Sequence, residues 1–174
     1  MRVSGRALVL GDDISTDHII AGKYCKTADP DLLAPHALED VRPGLGRRKG
    51  RKAGSKGHGG TIIVAGRNFG CGSSREQAPL ALRAAGVSAV VAESFGRIFF
   101  RNCINIGLPA MVCPGAAAAL REGDRVSVDP GAGELVYARG GRGLKGERLP
   151  AFMVEILEDG GLVNHVRRKF GGGL

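Results

Sequence analysis

No apolar run in the sequence approaches the roughly 20 residues that a helix needs to cross a bilayer, which argues against a helical membrane protein. The opening Met1-Arg2-Val3-Ser4-Gly5-Arg6 lacks the apolar core and cleavage signature of a secretory signal, so a cytoplasmic protein is expected. The cysteines Cys25, Cys71, Cys103 and Cys113 form no Cys-x-x-Cys pair, and no histidine stands near them at zinc spacing. That scatter argues against a metal site on this chain and fits reduced thiols inside a cell. A lone cysteine is usually a small buried hydrophobe. Cys71, between two glycines, is the one set apart.

Acidic residues are missing from one stretch. Residues 42–60 hold Arg42, Arg47, Arg48, Lys49, Arg51, Lys52 and Lys56 without a single Asp or Glu. The net charge of +8 falls to +1 once this segment is set aside, so the basicity belongs to a segment and not to the body. The same stretch is rich in glycine, with nothing suited to burying an apolar face, and reads as a flexible basic loop inside one domain spanning 1–174.

Elements elsewhere follow from pattern. Residues 6–10 read as a strand ending at Gly11, followed by the polar turn Asp12-Asp13-Ile14-Ser15-Thr16-Asp17-His18. Pro30 opens a short helix over 30–40. Thr61–Ala65 is a β-branched run typical of a buried strand, and Glu76–Ala85 is an Ala- and Leu-rich helix stopped by Gly86. A strand at 89–92, a helix over Phe95–Ile106 and a strand at 110–113 continue the alternation. This order predicts an α/β fold with a mixed, partly parallel sheet and flanking helices. Arg125–Asp129 and Glu134–Ala138 around Pro130-Gly131 predict a small β-hairpin. The tail reads as two helices, 152–157 and 162–169, broken by Gly160-Gly161.

Chemistry concentrates between the strand at 61–65 and the helix that follows. Gly70-Cys71-Gly72 lets the backbone turn tightly and approach a ligand, and Ser73-Ser74 precede the helix, whose first amides lack intrahelical acceptors. Such a junction suits a carboxylate, and Arg75 adds a planar fork. A plainer reading is available: Ser73-x-x-Glu76 and Ser74-x-x-Gln77 both fit a capping box, which would make either serine a helix cap. Arg75 stands where a dinucleotide fingerprint needs its third glycine, and no Walker A or esterase-elbow pattern is present.

Gly70-Cys71-Gly72-Ser73-Ser74-Arg75-Glu76 closely resembles the G-x-G-S-S-R-E segment of the swivelling domain of the aconitase superfamily. Four further stretches agree in order. These are Gly11–Ile19, Ser94–Asn102, Asn105–Leu108 and the tail Glu155–Leu162, the last resembling isopropylmalate dehydratase small subunits. The resemblance spans nearly the whole chain outside 42–60.

The resemblance implies a swivelling β/β/α domain that is the small subunit of a hydro-lyase of the isopropylmalate dehydratase type, with homoaconitase or another malate-type hydro-lyase as the alternative. It implies a partner large subunit carrying a [4Fe–4S] cluster, no cofactor on this chain, and a small di- or tricarboxylate substrate. By the same carry-over, Ser73 is the catalytic base and Ser74 and Arg75 bind the substrate carboxylate. Substrate choice in the family is attributed to a short loop, here Tyr24-Cys25-Lys26-Thr27; homoaconitase-like subunits resemble Y-L-R-T there and isopropylmalate enzymes carry apolar residues, and Lys26 departs from both. It pairs with a distal carboxylate as a point charge, or is a solvated lysine whose stem covers Tyr24. Asp13, Asp17, His18 and Cys71 are expected to line the site or to shape its turns. His36, His58 and His165 are expected at the surface. A nucleic-acid-binding protein, using 42–60 to neutralise phosphates, and a stand-alone regulator are the competing classes. That loop has no aromatic residue on which bases could stack.

Overall fold

The computed structural model describes residues 1–46, 60–139 and 143–171. Its strands are β1 (Val3–Val9), β2 (Gly60–Ala65), β3 (Val87–Ala92), β4 (Ala110–Val112), β5 (Arg125–Asp129), β6 (Glu134–Tyr137) and β7 (Gly143–Lys145). They form one seven-stranded sheet in the order β4-β3-β2-β1-β5-β6-β7. β1 to β4 pair in parallel, while β5, β6 and β7 join antiparallel from the β1 edge.

The helices are α1 (Thr16–Ile19), α2 (Pro30–Leu33), α3 (Gln77–Ala84), α4 (Arg97–Asn105), α5 (Ala116–Ala119), α6 (Ala151–Glu158) and α7 (Leu162–Phe170). The helix read over 30–40 is shorter than its pattern suggests. α2 gives way to a 3-10 turn at Ala34–His36, where Pro35 cannot continue α-helical hydrogen bonding. Three short elements, α1, α5 and β7, have no sequence signal strong enough to place them, and the first falls in the stretch read as a polar turn. Each has only four or three residues.

β2 shows why the sheet is two-sided. Ile62 and Val64 pack into one core with Ala89, Val91, Met111, Val126 and Leu135. Ile63 and Ala65 alternate into the opposite core with Val90, Leu82, Phe69 and Phe99. Because successive strand residues face opposite sides, a strand buried on both reads as a continuous apolar run. Burial of each Ile or Val side chain contributes about 1.5–3 kcal/mol, which fixes the register of β2 against β1 and β3.

α4 ends in a Schellman motif: the Gly107 N–H donates to the Ile104 carbonyl at 3.0 Å and the Leu108 N–H to the Cys103 carbonyl at 2.8 Å. Gly107 has φ +75°, and a Cβ there would fall against the Gly160 backbone. The break between α6 and α7 therefore packs onto the end of α4. His165, expected at the surface, is buried. Its Nδ1 lies 2.6 Å from Asp159 Oδ2, which also pairs with Arg168 at 3.0 Å.

The reading of 42–60 as an unpacked loop needs a correction at its start. Leu45 is buried in the α3-side core, and Arg42 pairs with Glu122 at 2.6 Å. A single leucine among glycines gives no periodic signal of that apolar contact. The remainder of that stretch, 47–59, lies outside the described residues.

Candidate active site

The loops that leave the carboxyl ends of β1, β2 and β3 converge at one end of the parallel part of the sheet, where open α/β sheets bind ligands. They are tied by backbone contacts. Gly70 N–H donates to Ile14 O at 2.7 Å, Thr16 N–H to Cys71 O at 2.8 Å, Phe69 N–H to Ser94 O at 3.0 Å and Gly96 N–H to Phe69 O at 2.9 Å. Ser15 bridges Cys71, and Phe69 bridges Phe95, each in parallel sense. Three polar segments remote in sequence become one rigid rim.

Side chains reinforce the first two loops. Arg67 donates to Asp12 through its backbone N–H at 2.7 Å and through Nε and Nη2 at 3.2 and 2.9 Å. The Arg67 amide and guanidinium hold the Asp12 carboxyl below the usual range. Asp13 and Asn68 both adopt left-handed backbone, φ 55° and 60°, and join through Asn68 Nδ2 to Asp13 Oδ1 at 2.8 Å. Asp13 thus has a turn-building role in this structure.

Ser73 is not a helix cap. α3 begins at Gln77, its N-cap is Glu76, and that cap makes no side-chain hydrogen bond. The capping box of this region instead belongs to α1, where Ser15 Oγ accepts from His18 N–H at 3.2 Å and His18 Nδ1 accepts from Ser15 N–H at 3.1 Å. His18 is held by this contact, with the rest of its ring exposed. The sequence pattern fits a capping box at Ser73 and Ser74 and not at Ser15, where His18 stands in place of Glu or Gln. Only the point at which the chain turns helical decides which serine caps.

Freed from capping, Ser73 faces Thr16. Its Oγ lies 3.0 Å from Thr16 Oγ1, and its N–H donates to the same oxygen at 3.1 Å. Thr16 is completely buried. Arg75 donates through Nη1 to Asp17, and this contact pushes the guanidinium pKa further up. Gly22 abuts the same guanidinium. The backbone N–H groups of Ser74, Arg75, Glu76 and Gln77 donate to no acceptor among the described residues. Ser74 itself is exposed, and its carbonyl accepts from Asn102 Nδ2 at 3.2 Å, tying the loop to α4. A run of unpaired amides beside an oriented guanidinium suits a carboxylate.

The segment carrying Lys26 flanks this loop. Cys25 O accepts from Gln77 Nε2 at 3.4 Å. Lys26 is exposed and has no polar partner among the described residues, and other side chains cover Tyr24. Lys23 lies over that ring, 4.9 Å from its centroid, and His36 stacks on it at 3.6 Å. Half-buried Cys71 contributes its carbonyl to Thr16. Two residues of the site, Thr16 and Asn102, carry no signal of their own in the sequence. Each sat inside a noted motif, and neither residue type announces a buried or bridging role.

The cysteines do not form a cluster-binding set. Cys103 packs in the α3-side core and Cys113 in the core across the sheet, and burial pushes both thiols up. Cys25 and Cys71 belong to separate loops, and the described residues contain no group of three or more His, Cys, Asp or Glu placed to hold a metal ion. A [4Fe–4S] cluster does not fit this donor set. No helix among the described residues is long and apolar enough to cross a membrane.

Fold and site together define an α/β domain with a mixed seven-stranded sheet and an anion-suited loop at the ends of its parallel strands. Residues 51–114 match the model of the aconitase C-terminal domain. The chain is 48% identical to the 3-isopropylmalate dehydratase small subunit of Moorella thermoacetica, over 97% of both chains. It is 44% identical to the 2,3-dimethylmalate dehydratase small subunit of Eubacterium barkeri, over 95% of this chain and 97% of that one. The crystal structure of 3-isopropylmalate dehydratase from Methanocaldococcus jannaschii superposes with a TM-score of 0.84 at 39% identity, covering 98% of this chain and 96% of that chain. The chain belongs to the aconitase family of hydro-lyases, among the small subunits of its dehydratases.

Proposed function

We propose that this chain is one domain and the small subunit of a 3-isopropylmalate dehydratase-type hydro-lyase, supplying the base and part of the carboxylate site to a large subunit. The observation that carries this reading is the placement of Ser73: its hydroxyl is withheld from the helix it precedes and held beside a buried threonine, next to unpaired amides and Arg75. Those amides, Ser74 and Arg75 bind the substrate carboxylate. Ser73, as the alkoxide, takes the proton from the carbon α to that carboxylate. The C–H electron pair becomes the new double bond, the hydroxyl leaves with its own pair from the adjacent carbon, and the net loss is one water. A [4Fe–4S] cluster held by the large subunit would supply a Lewis acid for the departing hydroxyl. Electrostatic stabilisation by oriented donors is what brings a serine alkoxide within reach near neutral pH.

Lys26 supports a second reading of the substrate. A lysine in the loop that flanks Arg75 and Gln77 pairs with a distal carboxylate as a point charge, as a homoaconitase-type tricarboxylate would present. The Eubacterium barkeri relative adds dimethylmalate-type substrates to the panel. The test reconstitutes the chain with its cluster-bearing large subunit and compares kcat/KM for isopropylmalate, dimethylmalate and homoaconitate. Ser73→Ala is expected to abolish turnover while leaving assembly intact. Near-normal kcat in that variant would return Ser73 to a structural role.

A further inference from the structure

We infer that Thr16 is the positioning residue of the base: its hydroxyl donates to Ser73 Oγ, holds that oxygen in place and lowers the pH at which it works. This inference rests on the assignment of Ser73 as base. Thr16 sits at the first position of α1, wholly buried, with its backbone N–H fixed on Cys71 O at 2.8 Å. A hydroxyl has one hydrogen and two lone pairs. One lone pair of Thr16 Oγ1 receives the Ser73 N–H at 3.1 Å, and the remaining contact of that oxygen among the described residues is Ser73 Oγ at 3.0 Å.

The direction of the second bond follows from charge. When Ser73 is neutral, either hydroxyl can donate. When Ser73 is ionised it has no hydrogen, and Thr16 must be the donor. A hydrogen bond to an oxyanion is roughly twice as strong as one between neutral groups, and its burial enhances the difference. Thr16 therefore favours the ionised form of Ser73 selectively. The contact also directs the reactive lone pairs: one side of Ser73 Oγ is occupied by Thr16, so the proton is taken on the side away from α1.

The same geometry makes Thr16 a bracket. Its amide and hydroxyl grip Cys71 and Ser73 on either side of Gly72, whose φ of +102° carries the chain around Thr16 Oγ1. The β1 and β2 loops therefore position Ser73 jointly.

The test uses the holoenzyme reconstituted with the large subunit, comparing wild type, Thr16→Val, Thr16→Ser, Ser73→Ala and the double variant Thr16→Val/Ser73→Ala. Thr16→Val keeps the shape and removes the hydroxyl, both the donor to Ser73 Oγ and the acceptor of the Ser73 N–H. It should lower kcat about 30- to 300-fold with KM changed less than threefold, and move the acid limb of the kcat profile up by about 1–2 pH units. Thr16→Ser keeps the donor and should restore most of kcat and the wild-type limb. The double variant should be no slower than Ser73→Ala alone. Normal kcat and an unshifted limb in Thr16→Val, with Ser73→Ala inactive, would overturn the role of Thr16 and leave Ser73 as base. An active Ser73→Ala enzyme would overturn the parent reading instead. Equal loss in Thr16→Val and Thr16→Ser would also refute the inference, because it would trace the effect to packing.

Discussion

Gly70→Ala tests whether the rim of the site is as tightly determined as its contacts imply. Gly70 has φ +77°, and its N–H is fixed on Ile14 O at 2.7 Å. A Cβ added there would overlap the ring of Phe99, itself fully buried between α4 and the sheet. Relaxation away from Phe99 is obstructed, since Gly96 packs against the Gly70 carbonyl so closely that its own Cβ would come within 2.6 Å of that oxygen. Holding alanine in left-handed backbone costs about 1–2 kcal/mol. Overpacking the core adds about 1–3 kcal/mol, for a total of about 2–5 kcal/mol. With a urea m-value near 2 kcal/mol/M, the unfolding midpoint should fall by about 1–2.5 M at unchanged m. The assay is urea unfolding of the chain followed by circular dichroism, run as a cycle with Phe99→Leu. Leucine makes room for the new methyl, so the double variant should be more stable than the two single losses predict by about 1–3 kcal/mol. A midpoint within about 0.25 M of wild type would refute the reasoning altogether. Strict additivity in the cycle would show that the ring of Phe99 is not the obstacle.

Two further outcomes follow from the ion pairs of the site. Asp17→Asn removes the carboxylate that orients Arg75, and in the reconstituted enzyme KM should rise about 3- to 10-fold with kcat changed less than twofold. Because Asp17 is exposed, the melting temperature should move by no more than about 2 °C; a fall in KM would mean that Asp17 competes with substrate. Asp12, held by Arg67, has a depressed carboxyl pKa, so its contribution to stability is fully present above pH about 4 and is lost as pH falls through the depressed value. The stability gap between wild type and Asp12→Asn should therefore be flat from pH 5 to 8 and close below about pH 4, as read from urea midpoints. A gap that widened on acidification would contradict the sign.

Much of the fold was legible because its signals are local. The apolar run at Thr61–Ala65 occupies β2, and Gly86 and Gly107 stop α3 and α4 where the pattern places them. The hairpin and the two tail helices also lie within a residue or two of expectation. The elements that the pattern does not show, α1, α5 and β7, are too short to carry a period, and Leu45 is buried by neighbours that no local pattern reveals. His165 looked like one more polar residue on a basic helix. It is buried because Asp159, on the other side of the Gly160-Gly161 break, turns back to meet it.

For the site, the sequence by itself determined which residues are available: a glycine-flanked loop after a buried strand, with Ser73, Ser74 and Arg75 in succession. It left open whether Ser73 caps a helix, because a capping box is a spacing and both Ser73 and Ser74 satisfy it. Tertiary structure decided that question. α3 starts only at Gln77, and the β1 loop delivers Thr16 to Ser73 across 57 residues of chain. The physical reason is that hydrogen-bond geometry depends on where separate strands end in a shared sheet. The parallel pairing of β1 with β2 sets that placement, and the sequence encodes it only through the packing of the two cores.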